Sequence, residues 1–156
     1  MTTAPPSIST TRPLAVRPGQ AVDLKIQGAN LVGVSDVWTS FKSTKALVGD
    51  TKNKAQCVYK LTVPADAPVG IHAIRVAGPG GLSPLKLVLV DDIPTTAQAG
   101  DNFSREKAQA LTLPAAVDGT ADALKVRVYK FTAEKGQTVS AEIVAKRIGS
   151  ALDPLL

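Results

Sequence analysis

The sequence predicts an all-β protein whose first part, residues 1 to 91, is an immunoglobulin-like β-sandwich. Three observations predict it. Aromatic residues make up only 4% of a chain that is 44% hydrophobic, and Val, Ala, Thr, Gly and Pro are abundant, a composition of short strands and turns rather than packed helices. Apolar residues recur with a period of two in several segments, the signature of strands with one buried face. Clusters of Gly, Pro, Asn and Asp punctuate these segments at the spacing of a sandwich with about seven strands.

After a Pro- and Thr-rich lead, a short strand is predicted near Leu14 to Val16, followed by a turn at RPGQ, residues 17 to 20. AVDLKIQ, 21 to 27, places Val22, Leu24 and Ile26 on one face and Asp23, Lys25 and Gln27 on the other; GAN, 28 to 30, ends it. VSDVWTSF, 34 to 41, is the next strand, and a short edge strand is expected around Leu47 in the polar stretch from 42 to 56. CVYKLTV, 57 to 63, groups Cys57, Tyr59, Leu61 and Val63. PADAPVG, 64 to 70, must be a connection, because proline cannot supply the ladder bonds of a central strand. IHAIRVA, 71 to 77, aligns His72, Ile74 and Val76; GPGG, 78 to 81, reverses the chain, and LKLVLV, 85 to 90, closes the unit. Val22, Leu24, Ile26, Tyr59, Leu61, Ile74 and Val76 are therefore expected to share one core between two sheets.

Residues 92 to 100 have linker composition. Beyond them, residues 101 to 156 predict a brief helical turn between Phe103 and Leu111, a turn at 115 to 122, and strands at 124 to 133 and 137 to 146 joined across Glu134, Lys135 and Gly136. About three strands are too few for a stable sandwich. The chain ends on RIGSALDPLL, whose Leu152, Leu155 and Leu156 read as residues that expect a neighbouring strand, so the second unit is expected to be incomplete.

The formal net charge of +5 is unevenly placed: residues 1 to 91 hold ten Lys or Arg against five Asp or Glu, and residues 92 to 156 hold eight of each. A basic first unit suits an anionic polysaccharide, a cell surface or nucleic acid as well as it suits a solvated face. The one cysteine, Cys57, excludes an intrachain disulfide and a cysteine metal cluster. MTTAPPSISTTRP lacks the basic and apolar regions of a signal peptide, and no apolar run approaches the roughly 18 residues of a membrane span.

No catalytic constellation is visible. His72 is the sole histidine, and its parity with Ile74 and Val76 makes it a half-buried structural residue. GLSPL, 81 to 85, lacks the second glycine of a nucleophile elbow, which leaves Ser83 as a turn residue. Cys57 reads as a buried, inert thiol. Asp91 and Asp92 stand without further carboxylates and read as solvated linker, and Asn102 reads as the cap of the short helix. No cofactor or metal is implied. Two features point to ligand contact. Trp38 has the parity opposite to Val37, Thr39 and Phe41: either its indole stands on an outer face, where it can stack on a sugar, or a bulge turns it inward. Lys42, Lys45, Lys52 and Lys54, with Lys60, form the densest basic cluster, but without arginine for base reading or interleaved aromatics, which disfavours nucleic acid.

Two resemblances cover nearly the whole chain. ArgProGlyGln at 17 to 20, GANL at 28 to 31, PVGIHAIRV at 68 to 76 and GGLS at 80 to 83 are similar, in order and spacing, to the TIG/IPT immunoglobulin-like domain. DNF at 101 to 103 with AQALTLP, VDGTAD, VYKFTAEKGQTV and RIGSALDPLL resembles the start of a bacterial pre-peptidase C-terminal domain. The second resemblance implies a jelly-roll-like β-sandwich, here truncated, of a kind found beside the catalytic domains of exported hydrolases. Some relatives bind calcium; Arg127 stands where that family commonly has an acidic residue. Together the resemblances imply a non-catalytic adhesion or spacer module of a larger exported bacterial protein, extracellular or at the cell surface. Its partners would be the other domains of the parent and a polysaccharide, protein or cell surface. The alternatives are a DNA-contacting domain of the TIG type, or a non-catalytic piece of a secreted peptidase.

Overall fold

A computed structural model describes residues 3–122 and 124–152; Leu155 and Leu156 of the apolar ending lie outside the described residues. The described chain divides into two compact units, one running to Asp92 and including Arg147–Gly149, the other beginning at Ile93.

The first unit is a β-sandwich of nine strands: β1 (Ser7–Arg12), β2 (Ala15–Val16), β3 (Ala21–Ala29), β4 (Asp36–Thr39), β5 (Thr44–Val48), β6 (Gln56–Thr62), β7 (Gly70–Gly78), β8 (Gly81–Leu82) and β9 (Lys86–Val90). One sheet has the order β1-β3-β6-β5 and is antiparallel throughout. The other has the order β2-β9-β7-β4, with β8 pairing β7; β2 runs parallel to β9 and the remaining pairs are antiparallel. This division of strands is that of an immunoglobulin-like sandwich, in which the chain crosses between sheets instead of pairing each strand with its successor.

The alternation read in the sequence sets which face is buried. Leu24 and Ile26 lie directly opposite Tyr59 and Cys57 in the β3–β6 register, and directly opposed residues point to the same side. With Leu61 they pack against Val37, Ile74, Val76, Val88 and Val90 from the other sheet, all buried. Val22 is only partly buried against this core, because it lies nearer the end of the ladder. Tyr59 keeps its phenol satisfied by donating to Val34 O at 3.2 Å, so its ring is buried without stranding a polar atom.

Two local expectations are corrected. Residues 7–12 form β1, which the polar sequence SISTTR does not signal by alternation; Thr11 is buried all the same. The strand expected over 34 to 41 is confined to Asp36–Thr39, whereas the edge strand expected around Leu47 is present as Thr44–Val48. Lys45 of this edge strand lies opposite the buried Leu61, so a cation stands on the inner side of the sheet's open edge, an arrangement that discourages edge-to-edge pairing.

The second unit contains β10 (Thr95–Ala97), β11 (Gln109–Ala110), β12 (Ala116–Asp118) and β13 (Tyr129–Lys130), paired in parallel as β10–β12 and β11–β13. Between Phe103 and Leu111 the chain makes one turn, Ala108 N donating to Arg105 O at 3.3 Å, but no helix, and Asn102 does not cap it. Asn102 is instead fully buried, its Nδ2 donating to Val128 O at 3.2 Å and its Oδ1 accepting from Arg127 at 3.1 Å. The Arg127 guanidinium also donates to Gly100 O at 3.2 Å and stands 4.1 Å from the centre of the Phe103 ring. A tertiary cation therefore organises this loop, overriding its weak helical propensity. The strands expected over 124 to 133 and 137 to 146 reduce to β13 alone; residues 137 to 146 belong to no ladder among the described residues, and Val126, Phe131, Val139 and Ile143 remain exposed. Alternation without a partner strand leaves backbone groups to solvent and forms no sheet. The turn between those segments is present, with Gly136 at φ 88° and Gln137 N donating to Glu134 O at 3.0 Å.

Candidate functional site

β4 is regular across Val37, Trp38 and Thr39, with the first and third buried, so the indole stands on the outer face of its sheet, 47% exposed. No bulge interrupts the β4–β7 register, in which Trp38 lies directly opposite Arg75. The same parity puts Ala73 and Ile71 of β7, and Leu87 and Leu89 of β9, on this outer face, because their neighbours Ile74, Val88 and Val90 point into the core. Leu82, opposite Ala77, and Leu85 are more than half exposed beside them, at 54% and 60%. The face thus presents the chain's one tryptophan, an arginine and a surround of aliphatic side chains.

The arginine is held in place by a buried serine. Arg75 Nε donates to Ser83 O at 2.7 Å. Ser83 is itself locked: its N–H donates to Val76 O at 2.9 Å, its Oγ accepts from Val76 N at 3.0 Å, and that hydroxyl donates to Pro84 O at 2.8 Å. Ser83 is therefore more than a turn residue; it fixes the direction of the guanidinium. Asp36, two residues before Trp38 on the same side, has one carboxylate oxygen engaged with the N–H of Val37 at 2.7 Å.

His72 is half-buried at the end of the same strands. Its Nε2 lies 2.8 Å from Pro68 O, which can only accept, so the neutral imidazole carries its proton there and Nδ1 faces Ser40 Oγ at 3.3 Å. The Ser40 hydroxyl in turn accepts from Ala73 N at 3.0 Å, and the Phe41 ring meets the imidazole edge-on at 5.1 Å between centroids. The sequence gives no hint of this Ser40–His72 pair, since 32 positions separate the two residues. It fastens the end of β4 to β7. A backbone carbonyl, not a carboxylate, orients the imidazole, and the serine oxygen is already occupied by the Ala73 amide.

The lysines do not converge. Lys42 follows β4 and Lys45 stands near the start of β5, whereas Lys52 and Lys54 belong to the connection beyond the far end of β5; Lys60 faces outward on β6, opposite Asp23. Lys52 is paired with Asp50 at 3.6 Å, both highly exposed, a contact of little energetic weight. Among the described residues no group of three or more His, Cys, Asp or Glu is placed to hold a metal ion, and no helix is long and apolar enough to cross a membrane.

Cys57 is buried beside Tyr59 in the core, and burial pushes its thiol pKa up to about 11; Tyr59 is raised by burial too, and further by Cys57 and Asp36. The folded state thus holds both protons more tightly than the unfolded chain. The resulting stability is present below the ordinary thiol value and is lost as pH rises toward about 11. At mildly alkaline pH an aromatic disulfide reagent is expected to modify Cys57 at least about 100-fold more slowly in the folded protein than in denaturant. Equal rates would place the thiol outside the core.

No family model matches the chain, and no curated protein matches it. Among solved structures, the chain is similar to SGBP-B of the Bacteroides ovatus mixed-linkage glucan utilization locus, determined in complex with a mixed-linkage heptasaccharide: the match has 16% identity and a TM-score of 0.42 over 71% of this chain. It spans 26% of the length of that structure's chain.

Proposed function

We propose that this chain is a non-catalytic accessory module of a larger exported bacterial protein, and that it contacts polysaccharide through the outer face around Trp38. One observation carries the reading: the sole tryptophan is 47% exposed on a rigid sheet, directly opposite an arginine whose direction is fixed by Ser83. A flat indole offers the apolar face of a pyranose ring a stacking surface, and a guanidinium beside it supplies hydrogen-bond donors to ring substituents. Because both groups project from strands and not loops, the platform is formed before ligand arrives and little ordering entropy is lost on binding.

The resemblances to a TIG/IPT domain over residues 1 to 91 and to the start of a pre-peptidase C-terminal domain over 101 to 156 support the extracellular, accessory setting. In that reading the module positions a neighbouring domain of the parent protein against a polysaccharide or cell surface. Contact with DNA is the weaker reading, because Lys42 and Lys45 are separated from Lys52 and Lys54 by the length of β5.

Affinity electrophoresis through gels containing a panel of soluble polysaccharides tests this. At least one polymer is expected to retard the protein, with Trp38→Ala weakening the interaction by about tenfold or more, the usual effect of truncating a central aromatic. Salt-sensitive retention on duplex DNA, with no polymer retarding the protein, would replace this reading with the nucleic-acid one.

A further inference from the structure

Resting on the polysaccharide reading, we infer that the Trp38 face selects carboxylate-bearing polysaccharides over their neutral counterparts, with Arg75 as the residue that reads the carboxylate. Trp38 and Arg75 occupy directly opposed positions of an antiparallel pair, which puts their Cβ atoms about 5 Å apart. That is close to the width of one sugar ring, so a pyranose stacked on the indole brings an exocyclic carboxylate within reach of the guanidinium.

The geometry of Arg75 suits that partner. Its Nε is committed to Ser83 O at 2.7 Å, while Nη1 and Nη2 make no hydrogen bond among the described residues and neither is a sealed, unpartnered atom. Two terminal N–H groups in one plane match the two oxygens of a carboxylate, and the ionised acceptor makes that pair stronger than any the neutral hydroxyls of a sugar can offer. Asp36 shares this side, about 7 Å along β4 from Trp38. Its negative charge disfavours a carboxylate at the Ala77 end and so orients the sugar acid toward Arg75. The excess of ten basic over five acidic residues in residues 1 to 91 draws a polyanion toward the unit without choosing its register.

The test uses the full chain, at physiological salt, with polygalacturonate, alginate and hyaluronan, each paired with the same polymer after reduction of its carboxyls to alcohols. Poly-glutamate serves as a polyanion without sugar. At least one acidic polymer is expected to bind about tenfold or more tightly than its reduced form. Arg75→Gln should bring the two affinities together at the lower value, and Arg75→Lys should restore only part of the difference, because an ammonium carries the charge without the fork. Trp38→Ala should weaken binding to both forms. Equal affinity for the acidic and reduced polymers, still dependent on Trp38, overturns carboxylate selection and leaves the polysaccharide reading standing. Poly-glutamate binding as tightly as the best acidic polymer overturns it too, as charge alone would then suffice. Binding indifferent to Trp38→Ala, or no binding to any polymer, overturns the reading beneath.

Discussion

Replacing Leu24 by Ala is expected to lower the unfolding free energy of the first unit by about 2–5 kcal/mol. Leu24 is wholly buried at the centre of β3, opposite Tyr59, and touches both layers of the sandwich. Removing the Cγ methine and the two methyl carbons forfeits their transfer free energy. The regular ladders on either side, β1–β3 and β3–β6, hold the backbone and prevent it from closing the space, so a cavity term is added. A fall of that size is a large part of a small domain's total stability and is readable as a lower urea midpoint with little change in slope. Leu85→Ala, at an exposed position, is the matched control and is expected to change stability by no more than about 0.5 kcal/mol. Equal effects of the two substitutions would mean that the facing of the strands has been misassigned.

Gly28→Ala is expected to cost about 1–3 kcal/mol or more by a different route. Gly28 lies opposite Ile8 where the β1–β3 register shifts, and a Cβ there would collide with the backbone carbonyl of Ser7. A backbone group cannot rotate away as a side chain can, so β1 must lift from the sheet. Hydrogen exchange should show lost protection at Ser7–Arg12 while the β3–β6 ladder stays protected. Gly49→Ala provides the contrast: nothing lies within 4 Å of its added Cβ, and only its φ of 80° is unfavourable, for an expected cost of about 1 kcal/mol with β1 intact. If Gly28→Ala leaves β1 protected, the close approach at the register shift is not real.

The residues legible in the sequence are those whose own alternation decides their facing. Leu24 and Ile26, Tyr59 and Leu61, Ile74 and Val76 could be placed in one core because each pair spans a polar residue, and a one-residue slip would expose all of them. β1 was not legible because SISTTR offers almost no apolar contrast; its pairing comes from the edge of β3 and from the small residue at Gly28. In the second unit, LKVRV alternates over 124 to 128, yet only Tyr129–Lys130 finds a partner strand, since alternation states which face would be buried and not whether a neighbour exists. The local sequence around Asn102 suggests a cap, but what decides its position is Arg127, 25 residues away. The candidate site divides in the same manner. The parity of Trp38 was readable and left two choices open; its pairing with Arg75, and the Ser83 staple behind that arginine, depend on a strand register between distant segments that no local pattern encodes.

Trp38 is the only tryptophan in the chain, so its fluorescence reports on this face alone. The most direct measurement is the accessibility of that fluorescence to acrylamide while the protein is titrated with a polysaccharide that retards it in affinity gels. If the Trp38 face is the contact, a sugar ring covering the half-exposed indole shifts its emission to shorter wavelength and lowers the quenching constant, saturating at the same polymer concentration as binding. Emission and quenching that stay unchanged while the polymer demonstrably binds would contradict the account, for the contact would then lie elsewhere on the molecule.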